Sequence, residues 1–344
     1  MADPTLTWLL EGDPAVRWQV ERDLVGSASK QWESTRSLIA SEGWGSRLLA
    51  EQDEYGTWGG GLYGPKWIST TYTLLLLRRF GLDVGNPRAL VGSHILLDDA
   101  DWVDGGVSYW GKRLLAERCV NGIVLSIASW FDTDDDRIDD IAALLLRARL
   151  DDGGWNCQDH HGSTHSSMHT TVSACEGLLG WKRRRGSTAA DEAIASAHEF
   201  LLAHRMYRSH TTGEVISEDW TRFSFPPRWF YDILKGLDHM RDAGAAPDPG
   251  PRKPSRSSGV GERTDDGRSA RTTPTRCSSR WRVVAQAVDG TPCEPGESWI
   301  GGRRANPRGS VPPSGGRLHP ARRSWPFPLC RKAARHPGRL IASF

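Results

Sequence analysis

The sequence predicts an all-α protein built from repeated helical hairpins, and three observations predict it. A glycine turn recurs at Gly56, Gly105, Gly153 and Gly213, at intervals of 49, 48 and 60 residues. Each turn follows a leucine-bearing segment and leads, past a polar loop, into an apolar segment of helical length. The segments between these are amphipathic, so buried and half-buried helices alternate. Repeats of about 20–50 residues that pair such helices build closed or open arrays of hairpins. An inner layer this apolar favours a closed double ring, the α/α toroid, because an open solenoid exposes one face of each layer.

Taken in order, residues 1–50 read as a helical preface. Two short helices lie within residues 4–25; Asp13 can cap the second, and Pro14 sits in its first turn, where a missing N–H is harmless. Val16, Val20 and Leu24 then share one face, and helices near 29–41 and 43–51 follow. Residues 51–245 carry the repeats. The apolar inner helices are predicted at 67–80, 117–131, 165–181 and within 225–240. In the intervening segment DRIDDIAALLLRARL, Ile138, Ile141, Leu145 and Ala148 form a stripe while Asp139, Asp140 and Arg147 face away. Helix starts present free N–H groups and a positive dipole end, so polar residues there are where function would concentrate.

Residues 251–344 break the pattern, with 19 Lys+Arg against 6 Asp+Glu, 12 prolines and 11 glycines. With hardly any apolar periodicity, the segment 246–344 is predicted to be a disordered basic tail. A basic tail would suit nucleic acid or a membrane surface. However, aromatic residues are too sparse among the charges to make the stacking platform that nucleic acid requires, and Arg/Pro/Gly/Ser-rich sequence without pattern is what a GC-rich gene yields out of frame. The expectation is therefore a frameshifted tail and no nucleic-acid partner. The N-terminus lacks a basic region followed by an apolar one, and the run Leu74–Leu77 is too short to span a bilayer. Six cysteines without framework spacing point to reduced thiols, hence to the cytoplasm.

Gln52, Gly56 and Trp58 in QDEYGTW match the Gln-x-x-x-Gly-x-Trp signature of the squalene-cyclase and protein-prenyltransferase superfamily. DDGGWNC resembles a second copy, with Arg149 where glutamine would stand. More closely, WLLEGDPAVRWQVERDL, GTWGGGLYGPKW, ERCVNGIVLSIASWF, THSSMHTT, HRMYRSHTTGEVI and RFSFPPRWFYDILKGLDH resemble bacterial single-barrel prenyltransferase and squalene-oxidase repeat proteins. The resemblance covers residues 4–245 and stops there; TDDGRS at 264–269 reads as what is left of a further turn, so the closing hairpin is expected to be missing or scrambled. It implies a toroid of the terpenoid-cyclase and prenyltransferase type, with a central pocket for an isoprenoid or similar apolar ligand. Catalysis is left open. The alternative is a non-catalytic helical-repeat module that binds a protein or peptide.

Three groups of residues are candidates for chemistry. Asp132, Asp134 and Asp135 in FDTDDD match the Asp-x-Asp-Asp pattern of hopene-type cyclases, but they occupy a polar connector where caps of the next helix are the simpler reading. Cys119, Cys157, His165 and His169 cluster at inner-helix starts, with the two histidines four apart on one face. They are candidate acid/base and thiol partners, and their ligand types would suit zinc. Prenyltransferases use Asp, Cys and His for that ion, and no Asp-x-Cys pair is present at Cys157; His160 and His161 are read as solvated. Thr70, Thr71, Tyr72, Asn121, Arg222, Arg228, Trp229 and Tyr231 are placed around the pocket, the arginines toward an anionic group.

Overall fold

The computed structural model describes residues 3–111, 115–131 and 134–245, all within one compact unit, Met1–Thr291. The basic tail, the TDDGRS segment, Asp132, Cys277, Cys293 and Cys330 lie outside the described residues.

The preface consists of α1 (Pro4–Leu10), α2 (Pro14–Val20), α3 (Ser29–Ser37) and α4 (Gly43–Ala50). Asp13 caps α2 by accepting the Ala15 N–H at 2.9 Å, and its second oxygen accepts the Trp44 N–H of α4 at 2.8 Å. One carboxylate therefore serves two helix starts. The predicted stripe holds at Val20, which is buried, and fails at Leu24, which is exposed. The chain widens into a π turn over Glu21–Val25, and the extra residue rotates Leu24 off the face of α2.

The hairpins follow: α5 (Thr70–Phe80) with α6 (Pro87–Asp98), α7 (Arg118–Trp130) with α8 (Arg137–Arg147), and α9 (Met168–Arg185) with α10 (Asp191–Ala203), before α11 (Ile233–Asp242). Every residue of α7 from Cys119 to Ser129 is buried, as is every residue of α9 from Thr170 to Leu179. By contrast, α8 buries Ile138, Ile141, Ala142, Leu144 and Leu145 and exposes Asp140 and Arg147. Buried and amphipathic helices thus alternate as the sequence predicts. The backbones of α7 and α9 approach closely: a Cβ on Gly122 would lie 2.5 Å from the Ser173 carbonyl oxygen, and one on Gly177 the same distance from that of Gly122. Among the described residues no helix is long and apolar enough to cross a membrane.

The glycine turns repeat down to single hydrogen bonds. Gly56 N–H donates to Asp53 O and Asp53 N–H to Thr57 O; Gly153 N–H donates to Leu150 O and Leu150 N–H to Gly154 O. Trp58 Nε1 donates to Leu48 O, and Trp155 Nε1 to Leu145 O, each at 2.7 Å and each ten residues upstream. The next inner helix closes both units, Thr70 Oγ1 accepting the Trp58 N–H and Thr171 Oγ1 that of Trp155, at 3.1 Å. Gly56 and Gly153 adopt φ of +82° and +101°, where a side chain is strained, and a Cβ would strike Val91 of α6 or Ser196 of α10.

The second turn departs from an all-helical reading. Asp104 and Gly105, both at positive φ, close an antiparallel hairpin of β1 (Asp101–Val103) and β2 (Gly106–Ser108), with Trp102 opposite Val107. The fourth unit is irregular, and α11 begins only at Ile233. Pro226 and Pro227 lack an amide donor and disfavour helix in the residue before them, which delays the start.

A buried charge cluster ties the inner helices together. Arg79 of α5 pairs with Glu176 of α9 and lies 3.9 Å from Asp238 of α11. Lys235 of α11, 1% exposed, donates from Nζ to the carbonyls of Arg228 and Trp229 at 3.1 and 3.4 Å. It thereby fixes the segment that leads into α11.

Candidate functional site

Three pieces of chain converge at the start of α7. Trp155, seated by its bond to Leu145, carries Cys157 two residues on, and the ion pair of Arg118 with Asp159 at 2.7 Å docks that loop on the helix. Asn156 braces the loop by donating to His165 O at 2.6 Å and Ser163 Oγ at 3.0 Å. Cys157 Sγ accepts two hydrogen bonds, from the Cys119 backbone N–H at 3.3 Å and from Thr170 Oγ1 at 3.4 Å. The Cys119 thiol in turn faces Glu117 Oε2 at 3.9 Å. Its hydrogen bond to Cys157 and its burial hold that thiol protonated, well above its ordinary range.

Glu117, Cys119 and Cys157 place their ligand atoms within 4.8 Å of one another. Two sulfurs and a carboxylate suit zinc and leave a fourth position open, so the residues fit such an ion. Binding would displace the Cys119 proton.

Beside the thiols lies a run of aromatic rings. Trp110, Tyr63, Tyr72, Trp67, Phe230, Trp229 and His169 follow one another with successive ring centroids 4.9–5.3 Å apart. Tyr63 and Tyr72 are buried, which raises both phenols above their ordinary range and keeps them protonated next to Cys119 and Glu117. Further along the run, between Trp67 and Trp229, Phe230 is 52% exposed. His169 is packed among Trp220, Trp229, Phe230 and Tyr231. Burial, with the Lys235 charge adding to it, lowers its imidazole to about 4, so it is neutral at pH 7. Trp229 Nε1, beside the Cys119 thiol, makes no hydrogen bond of normal geometry.

Comparison with family models, curated proteins and solved structures finds no match to this chain.

The residues predicted from sequence divide into two sets. Cys119, Cys157, Tyr72, Trp229 and, across the ring of Trp229, His169 come together. His165 does not: its side chain is 84% exposed and its nearest acid is Asp152 at 4.0 Å. Thr70 and Thr71 donate their hydroxyls to Gly61 O and Leu62 O, and Tyr231 to Met206 O, so these groups hold backbone. Asn121 pairs with both backbone groups of Val107, clamping β2 to α7. Arg228 donates to Trp67 O at 3.1 Å, and Arg222 is exposed and paired with Asp219. Sequence reasoning missed Glu117, Tyr63 and Trp67; a Glu-x-Cys pair at a predicted helix start was the available signal for the first.

The acids nearest α8 are engaged at its start. Asp135 accepts the Arg137 N–H at 2.9 Å and pairs with its guanidinium, and Asp136 pairs with Arg185. The hydrogen bond from Arg137 lowers the Asp135 carboxyl below its ordinary range, the opposite of what a proton-donating acid needs.

Proposed function

We propose that this chain is a squalene-cyclase-like repeat protein whose hairpins form an α/α toroid, and that it binds an isoprenoid or similar apolar ligand where the inner helices begin. The observation that carries the reading is the aromatic run that passes from buried Tyr63 and Tyr72 to half-exposed Phe230 beside the thiol pair. Such a surface offers apolar area and π-faces to a polyprenyl chain and asks it to desolvate no polar group. Ring closure is supported by contacts that join α11 and the segment leading into it to α5 and the segment leading into that: Arg228 to the Trp67 carbonyl, Phe230 stacked on Trp67, and Asp238 near Arg79.

A zinc ion held by Glu117, Cys119 and Cys157 would supply Lewis acidity at the buried end of that surface. The protein's own part is to orient and to keep dry. Tyr63, Tyr72 and Trp229 lie around the buried Cys119 thiol, and Lys235 fixes the backbone that presents Trp229.

Farnesol titrated into the full chain is expected to quench tryptophan fluorescence saturably. Phe230→Ala is expected to weaken that binding by roughly tenfold, about 1.4 kcal/mol of lost apolar contact. Quenching that does not saturate, or an affinity that Phe230→Ala leaves unchanged, overturns the reading in favour of a protein- or peptide-binding module.

A further inference from the structure

The two sulfurs at the start of α7 differ in a way that the ligand reading does not use. Cys119 is 3% exposed, whereas Cys157 is only partly buried and lies against the first turn of the helix, where it accepts the Cys119 N–H. Partial exposure at a helix start is the setting in which cysteines react, and a buried thiol close by is what resolves the product. The sulfurs lie within 4.8 Å of each other. Cys175, the remaining cysteine among the described residues, is fully buried and outside this group.

We infer that Cys157 and Cys119 are a redox-active pair: Cys157 is the sulfur that reacts with a peroxide, and Cys119 closes on it as an intramolecular disulfide. In the first step Cys157 sulfur attacks one oxygen of hydrogen peroxide. An S–O bond forms, the O–O bond breaks, and the thiol proton leaves with the departing hydroxide as water. In the second step Cys119 sulfur attacks Cys157 sulfur; the S–S bond forms, the S–O bond breaks, and the Cys119 proton leaves with that hydroxyl as a second water. The two sulfurs together give up two electrons, and the peroxide takes them.

Closure to a bond of about 2.05 Å draws the turn after Trp155 onto the first turn of α7. It also removes two of the three ligand atoms of the Glu117 group, so the disulfide and a bound metal exclude each other. The inference rests on the thiol pair alone and stands or falls independently of the apolar ligand.

The test is peptide mapping of the full chain after hydrogen peroxide in the presence of a chelator, with free thiols alkylated and no reductant added. The expected result is one cross-linked pair of peptides carrying Cys119 and Cys157. With Cys119→Ser, Cys157 is expected to be trapped by dimedone as its sulfenic acid. With Cys157→Ser, oxidation of Cys119 at the same peroxide concentration is expected to fall by about tenfold or more. The wild-type map does not depend on either variant folding. Both cysteines remaining alkylatable after peroxide, cross-links to other cysteines instead, or dimedone trapping at Cys119 would overturn the inference.

Discussion

Replacing Glu176 with glutamine removes the charge at the point where α5, α9 and α11 meet. The Glu176 side chain is 5% exposed and pairs with Arg79. Burial alone would raise its carboxyl; the charges of Arg79, Lys235 and Arg78 outweigh burial and hold it at about 2, against an ordinary 4.5. That difference corresponds to about 3 kcal/mol in favour of the folded carboxylate. Because the folded value is the lower one, the contribution is complete above the ordinary range and is lost as pH falls toward about 2. Glu176→Gln is therefore expected to lower the unfolding free energy by about 3 kcal/mol at pH 7, and by somewhat more if Arg79 is left buried without a partner. Urea denaturation of both proteins between pH 7 and pH 3 measures it. The gap between them should be widest at pH 7 and should narrow below pH 4.5. A gap under about 1 kcal/mol at pH 7, or one that does not change with pH, would refute the reasoning.

Trp58→Phe and Trp155→Phe each delete an indole donor to a buried carbonyl in equivalent positions, and each should cost about 1–3 kcal/mol in urea unfolding. Costs that differ by more than about 1 kcal/mol would contradict the equivalence of the two turns. Metal analysis of the purified chain should find one zinc ion, lost from Cys119→Ser and Cys157→Ser and retained by His165→Ala, because the His165 side chain is 84% exposed and outside the ligand group. With the His169 imidazole lowered to about 4, farnesol affinity should stay constant from pH 5.5 to pH 8. A step near the ordinary histidine value would place His169 in a wetter setting than its four aromatic neighbours provide.

The helical hairpins were legible because they depend on periodicity. The glycine turns and the alternation of apolar with amphipathic segments pointed to the hairpins, and the tryptophan N–H groups find carbonyls as their types suggest. What could not be read was how polar groups are spent. Thr70, Thr71, Asn121 and Tyr231 look like pocket residues by position, yet each is consumed by a backbone group brought near by the tertiary fold. Leu24 shows the same limit locally, since one inserted residue in a π turn undoes a stripe that the spacing supports. In the site, the pairing of Cys119 with Cys157 followed from helix starts meeting at one end, whereas His165 was placed by spacing alone. It points away because the helix begins only at Met168, three residues after it.

Native mass spectrometry of the full chain, purified from cells that make it, tests the central claim most directly. The account expects one small apolar molecule to travel with each chain and to be lost from Trp229→Ala and Phe230→Ala. A chain that emerges bare, or with a polypeptide bound in place of a small molecule, would contradict it.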